Sequence, residues 1–505
     1  MREPVDWPTK DLLAHRALAT PDRTALRVAE TGEAWTFREF ESDAEAYVPA
    51  FERATPAADA RVALLLDDPL ATARLLFAAM RRAITVVPLN TRLTADELAV
   101  RLDAADPDLL VCERDTEETA VEAAGSALAV ASVDRPVDGT VDRVDGDETA
   151  AAVPTTIRRD TEALVLFTSG TTGEPKGVRL TVGNLVASAT ASAFRLGVTP
   201  EDRWLCCLPT YHMGGLAPIV RSVLYGTTAV LQRGFDTEAT ATAIAEAEVT
   251  GVSLVPTMLQ RLLDDGWSPP DRLRFVLLGG APATPDLLAE CERRGVPVHP
   301  TYGMTETASQ IATARPADAF EHEGTVGQPL LCTEVTVVDP ETREPRHAGE
   351  PGELVVSGPT VTPGYLDDQR TAAAFTERGL HTGDVGYRDA DGRLWVRNRL
   401  DDRIVSGGEN VDPGEVRAAL RAHDRVEDAA VVGLADDEWG ERVAALVVPV
   451  DDSLTEHMIE THCRERLAGF KLPRTVAFAE DLPRTPSGTV DRDAVRERLA
   501  AERDG

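Results

Sequence analysis

The chain has 505 residues and carries 85 Asp and Glu against 52 Lys and Arg, a formal charge of −33. That balance argues against nucleic acid as a partner, because phosphate backbones are bound by clustered cations. A hydrophobic share of 43% excludes disorder of the whole chain, and at roughly 100–200 residues per domain the length predicts two to four domains.

The N-terminal MREPVDWPTKDLL lacks the apolar core of a signal peptide, and no run of 18 apolar residues occurs. A cytoplasmic protein without stable membrane insertion is expected. Arg61–Leu66 reads as a strand, Ala71–Arg82 as a helix and Ala83–Pro88 as a second strand. From about Ala124 to Thr156 the chain is rich in Asp, Gly, Thr and Pro, which predicts a surface excursion or loose connection. Between Thr161 and about Thr301, apolar or β-branched runs (Ala163–Phe167, Thr228–Leu231, Val252–Val255, Phe275–Leu278) alternate with helix-length segments such as Thr237–Glu248 and Pro285–Arg294. This is the rhythm of parallel βαβ units. After Gln328 the pattern changes to short strands, Glu334–Val338 and Glu353–Ser357, with Gly and Pro turns, and predicts a small β-barrel ending near Arg399. Beyond Asp401 the order is helix (Pro413–Ala422), strands (Ala429–Val432, Val443–Val448), helix (Leu454–Leu467), strand and helix. The expected architecture is α/β: a large N-terminal domain, 1–400, of two α/β subdomains plus the barrel, followed by an α+β C-terminal domain, 401–505.

Lysine occurs only at Lys10, Lys176 and Lys471, so almost all positive charge is arginine. With abundant aspartate, this predicts a high-salt cytoplasm, where a Debye length of about 3 Å at 1 M salt makes repulsion among surface carboxylates tolerable. The six cysteines include no C-x-x-C pair and lie mostly in apolar runs, so buried, reduced thiols are expected. His457 and His462, five apart, share a helix face poorly, and no zinc site is expected there. Oligomeric state stays open, a homo-oligomer included.

The most informative segment is TSGTTGEPKG, Thr168 to Gly177, directly after the apolar strand Ala163–Phe167. Thr168, Ser169, Thr171 and Thr172 bring hydroxyls, Gly170 and Gly173 expose backbone N–H groups, and Lys176 adds a cation. Such a loop can surround several anionic oxygens of a polyphosphate. It is not a Walker A loop, since the glycine spacing differs and Lys176 precedes Gly177 instead of Ser or Thr.

This loop resembles the phosphate loop of the adenylate-forming superfamily: acyl-CoA synthetases, adenylation domains and luciferases. The resemblance runs from about Val87 to Arg492 and includes TYGMTET (Thr301–Thr307), LHTGD (Leu380–Asp384) and RLDDRIVSGGENVDPGE (Arg399–Glu415), in the family's order and spacing. It implies ATP, Mg²⁺ and CoA as cosubstrates and a small-molecule carboxylic acid as acyl donor. Each motif also has a physical reading. A nucleotide site needs a flat face for adenine, a carboxylate for the ribose diol and a hard oxygen ligand for magnesium. Tyr302 can supply the face, with Gly280, Ala281 and Pro282 on the other side; taken alone, such a tyrosine is more often core packing. Asp384 can accept from both ribose hydroxyls with Arg399 reinforcing it, or cap its own turn. Glu306 is the magnesium candidate, joined by Thr168, and Thr305 can donate to the α-phosphate; a helix-start carboxylate is the plain alternative for Glu306.

The resemblance further makes Asp401 the hinge about which the C-terminal domain moves between two half-reactions, and SGGEN, with Gly407, Gly408 and Glu409, the lining of a pantetheine channel. One departure stands out. The C-terminal signature reads LPRTPSGTVDR, with Thr489 where the family places a lysine that bridges the attacking carboxylate and the α-phosphate. The change removes a cation from the adenylation transition state, where fixed charge is most valuable. Slower adenylation, rescue by Arg484, Arg492 or Lys471, and an adenylation-deficient nucleotide-binding protein are all open readings.

For the acyl pocket, LPTYHMGGLAPIVR (Leu208–Arg221) puts His212 after a strand and Arg221 nine residues on, along the following helix. An arginine facing the pocket would select an acid with a second carboxylate, which it binds bidentately; on a solvated helix face it would select nothing. Here the chain looks most like the o-succinylbenzoate–CoA ligases of menaquinone synthesis, on LLGGAPA (Leu277–Ala283), PVHPTYGMTETASQI (Pro297–Ile311) and the basic residue nine after His212. That likeness implies a catalytic and substrate-side role for His212, Lys176 in catalysis, and Gly280, Ser309 and Gln310 beside the acyl group. Medium-chain and aryl acyl-CoA ligases, carrier-protein ligases and luciferase-like oxygenases share most of these motifs and are the alternatives.

Overall fold

The computed structural model describes residues 11–54, 60–144, 146, 156–168, 175–400, 404–406, 409–411, 413–436, 440–451, 453–467, 469–485 and 490–503. The chain divides into two compact units, Met1–Val335 with Val356–Leu380, and Thr336–Val355 with His381–Gly505.

The first unit is built on two sheets. One has eight strands in the order Gly364–Tyr365, Lys176–Thr181, Glu162–Thr168, Thr85–Pro88, Arg61–Leu65, Leu109–Cys112, Ala129–Ser132 and Asp142–Arg143. Its strands are parallel from Glu162–Thr168 onward, and antiparallel at the Gly364–Tyr365 end. Fully buried strands such as Thr85–Pro88 and Leu109–Cys112 read as unbroken apolar runs because both faces of a parallel sheet are covered. The helix Pro69–Arg81 covers one face; Asp68 caps it through Leu70 N, and Pro69 at its first turn loses no hydrogen bond. The strand expected from Ala83 begins only at Thr85, since Ala83 takes a left-handed φ of 57° to leave the helix. A second correction concerns the supposed excursion from Ala124: Ala129–Ser132 pairs in parallel with Leu109–Cys112. A strand near a sheet edge is held by its backbone ladder, so the small side chains of Ala129–Ser132 suffice.

The other sheet has nine strands: Gln328–Pro329, Ala312–Thr313, Val298–Tyr302, Phe275–Leu278, Gly251–Leu254, Arg203–Cys206, Thr228–Leu231, Thr24–Val28 and Ala34–Thr36. The six central strands run parallel. Ligands of such sheets sit at the carboxyl ends of the strands, which here carry the predicted site segments.

After Gln328 the short strands Glu334–Val338, Gly352–Ser357, Gly379–Arg388 and Phe375–Thr376 follow one another across a five-stranded sheet, with Leu394–Arg399 beside Gly379–Arg388. In the second unit a further sheet takes the order Glu409–Val411, Ile404–Ser406, Gly440–Pro449, Val426–Asp436, with Thr475–Phe478 parallel to Gly440–Pro449. Alternation along the long hairpin sends Val431, Val443 and Ala445 into one core and Val432, Ala444 and Leu446 into another. The helices Pro413–Arg421, Glu456–Arg464 and Arg492–Arg503 complete the α+β pattern.

Five cysteines are buried as expected, whereas Cys332 is exposed, on a turn with φ 63°. Among the described residues no helix is long and apolar enough to cross a membrane.

Candidate active site

Thr168 and Lys176 face each other as register partners where their two strands leave the sheet. The loop between them, with Ser169, Gly170, Thr171, Thr172 and Gly173, lies outside the described residues.

The segment from Thr301 to Thr313 folds back on itself, with Tyr302 opposite Ala312 and a short 3-10 turn at Thr305–Thr307. A Cβ on Gly303 would lie 1.6 Å from the Ser309 carbonyl oxygen, so only glycine fits. Ala308 and Ser309 both take positive φ, 51° and 117°, a conformation costing of order 1–3 kcal/mol per residue unless its surroundings impose it. They do: Ser188 Oγ donates to Ala308 O at 2.7 Å, and Ile311 N donates to Tyr302 O at 2.8 Å. The turn leaves Glu306 7% exposed. Its Oε1 accepts the Tyr365 hydroxyl at 3.0 Å and its carbonyl accepts Thr362 N at 2.7 Å, while no partner among the described residues holds Oε2. A buried carboxylate with one oxygen held and one open fits a monodentate cation ligand.

Gly280, Ala281 and Pro282 form the loop after strand Phe275–Leu278, which pairs in parallel with the strand carrying Tyr302. The two chains approach closely there, since a Cβ on Gly279 would sit 2.7 Å from Thr301 Cγ2. Gln310 turns its amide into the hydroxyl pair of Thr301 and Thr313, donating to Thr313 Oγ1 at 2.7 Å.

His212 precedes the helix Met213–Tyr225 and packs edge-on against Tyr211. The residue is exposed, yet the surrounding protein, and then the charge of Arg92, lower its pKa, which leaves it neutral at pH 7. On the same helix Arg221 is 2% exposed. Its Nη2 donates to Ser188 Oγ at 3.3 Å and its guanidinium lies 5.6 Å from the Trp204 ring centre. Among the described residues it has no carboxylate partner, and burial lowers its pKa. It borders a small recess lined by apolar Leu185, Met213, Ala217, Val220 and Ala308, with Ser188 as the other polar group. The solvated-face alternative for Arg221 is therefore excluded. Ser309 and Gln310 do not line this recess.

In the second unit Asp384 and Arg399 are cross-strand partners, with Nε 3.5 Å from Oδ1. Thr382 Oγ1 accepts Asp384 N at 3.0 Å and donates to Leu354 O, while Arg399 donates to Thr382 O. Glu353, which the sequence reading passed over, accepts Gly383 N at 3.2 Å and holds His381 at 2.7 Å. Its signal was a charged residue inside an apolar strand, which must be paired once buried. Ser188 and Tyr365 were also missed, because their partners lie far away in sequence. Asp401, Gly407, Gly408 and Thr489 lie outside the described residues; Glu409 opens a short strand as the register partner of Ser406. Of the cations considered for the missing lysine, Lys471 pairs with Glu415 at 2.6 Å and Arg484 with Asp428 at 3.0 Å. Arg492 is brought down to about 10 by burial and then by Arg496 and Arg399.

The AMP-binding enzyme family matches residues 13–366, and the AMP-binding enzyme C-terminal domain matches residues 415–489. The 2-succinylbenzoate–CoA ligase of Bacillus licheniformis is 38% identical over 485 residues, 95% of this chain and 98% of that protein. Two solved structures of o-succinylbenzoate CoA synthetase from Bacillus subtilis align over nearly the whole chain. One holds the acyl-adenylate intermediate, at 34% identity and a TM-score of 0.84, covering 96% of this chain and 98% of that one. The other holds ATP and magnesium ion, at 33% identity and a TM-score of 0.85, covering 97% and 99%. With its motifs, its fold and near-complete coverage in agreement, the chain belongs to the AMP-binding enzyme family.

Proposed function

We propose that this protein is an ATP-dependent acid–CoA ligase that converts o-succinylbenzoate to o-succinylbenzoyl-CoA, with release of pyrophosphate and AMP. The observation that carries the substrate is Arg221: a buried guanidinium with no carboxylate partner among the described residues, bordering a small, mostly apolar recess. An acid with a second carboxylate supplies the missing counter-charge, whereas a fatty or plain aryl acid leaves the cation unpaired.

In the first half-reaction a carboxylate oxygen of the acid bonds to the α-phosphorus of ATP as the bond to pyrophosphate breaks. Lys176 and the Thr168–Gly173 loop hold the phosphates, Thr305 donates to the α-phosphate, Tyr302 and Gly280–Pro282 flank adenine, and Asp384 with Arg399 takes the ribose. Glu306, with Thr168, is the residue set that would hold Mg²⁺, which supplies charge neutralisation to the phosphates. In the second half-reaction the CoA thiol, losing its proton, attacks the acyl carbonyl and AMP leaves. Residues 401–505 pivot about Asp401 between the two, and pantetheine passes Gly407–Glu409. Neutral His212 faces the reacting carboxylate without adding charge. The setting is cytoplasmic and saline.

Exchange of labelled pyrophosphate into ATP, followed without CoA, tests this reading. Exchange that depends on o-succinylbenzoate is expected. ATP binding without exchange for any acid refutes the ligase and leaves the adenylation-deficient alternative that Thr489 raises.

A further inference from the structure

The segment Pro359–Leu366 works as a strap across the first unit. Asn184 Nδ2 donates to Pro359 O and Val361 O at 2.9 and 2.8 Å, anchoring its start to the helix Val182–Leu196. Thr362 N donates to the backbone of Glu306 at 2.7 Å, and its hydroxyl donates to Arg179 O. Gly364–Tyr365 then pairs antiparallel with the strand that begins at Lys176, Tyr365 opposite Val178, and Leu366 N donates to Gly177 O at 2.8 Å. The fit is close: a Cβ on Gly177 would meet Leu366 Cδ1 at 2.5 Å. From this strap Tyr365, 6% exposed, donates its hydroxyl to Glu306 Oε1 at 3.0 Å.

We propose that Tyr365 is a positioning residue for adenylation, its hydroxyl fixing the Glu306 carboxylate while its strand fixes the strand of Lys176, so that one residue sets the spacing between the cation and the anion that meet metal-bound ATP. The proposal rests on the reading of Glu306 as the metal-side carboxylate. An unrestrained glutamate samples many rotamers and loses them on binding a metal. A hydrogen bond from a buried donor removes that freedom beforehand and, among the described residues, leaves Oε2 open. Tyr365 touches no substrate in this account and acts through Glu306.

The test is binding of Mn²⁺ with α,β-methylene-ATP, which cannot transfer its adenylyl group, read by electron paramagnetic resonance beside binding of the metal-free analogue. Tyr365→Phe keeps the ring and deletes only the donor. It should weaken Mn²⁺ binding about tenfold and leave metal-free binding unchanged. Glu306→Gln should weaken Mn²⁺ binding further, and Tyr365→Phe should add nothing in that background. Wild-type Mn²⁺ binding by Tyr365→Phe, with Glu306→Gln impaired, overturns the role of Tyr365 alone. Wild-type binding by Glu306→Gln overturns the reading of Glu306 itself. Additive losses in the double variant, equal losses with and without metal, or failure of Tyr365→Phe to fold make Tyr365 a packing residue and overturn the proposal.

Discussion

Replacing Arg221 by methionine should separate stability from specificity. The guanidinium is 2% exposed, with one hydroxyl and one aromatic face as its partners and no carboxylate among the described residues. Such a charge costs free energy in the ligand-free protein, and an apolar replacement of similar volume should raise unfolding stability by about 1–4 kcal/mol. With substrate bound the sign reverses. Losing one partner of a desolvated ion pair costs about 2–5 kcal/mol, a fall of roughly 30- to 5,000-fold in kcat/KM for o-succinylbenzoate. Benzoate has no second carboxylate and should change by less than about threefold, since it never gains that interaction. Urea unfolding of the free protein and initial rates of AMP release with both acids measure the two halves. Equal losses for both acids, or a less stable Arg221→Met protein, would refute the reasoning.

Thr489→Lys restores a cation to the adenylation transition state and should raise single-turnover adenylation at least tenfold with ATP affinity little changed; an unchanged rate means another group already fills the role. Asp384→Ala removes the acceptor for the ribose hydroxyls and should weaken ATP binding about tenfold or more by calorimetry, with deoxyribose analogues less affected. His299, 7% exposed and bonded to Pro297 O, has its pKa pushed down by burial from 6.5 to about 4. Its contribution to stability is complete above pH 6.5 and is lost as pH falls toward 4, because only the unfolded chain takes up the proton in that window; about 3 kcal/mol is involved. His299→Gln should therefore flatten the acid limb of a stability-versus-pH curve measured by urea unfolding at pH 7 and pH 4.5.

The βαβ rhythm was legible because parallel strands buried on both faces leave unbroken apolar runs, as at Thr228–Leu231 and Phe275–Leu278. The strand entering the phosphate loop was legible as an apolar run, and the Tyr302–Glu306 and Leu380–Asp384 segments were legible as motifs because each is written in a few consecutive residues. Burial of Arg221 was half visible, as a lone charge in an apolar helix. What supports the site was not: Ser188 reaches Ala308 across 120 positions and Tyr365 reaches Glu306 across 59, and no local pattern encodes such pairs. The Ala129–Ser132 strand was hidden because its neighbours supply the ladder, and exposed Cys332 because its turn, not its apolar flank, decides its environment.

The central claim is settled by one competition experiment. The protein is incubated in high-salt buffer with Mg²⁺, ATP, CoA and equal amounts of o-succinylbenzoate, benzoate and octanoate, and the products are weighed by mass spectrometry. The account predicts AMP in step with o-succinylbenzoyl-CoA, and that thioester in large excess. A different preferred thioester would contradict the Arg221 pocket, and bound ATP with no AMP would contradict the ligase.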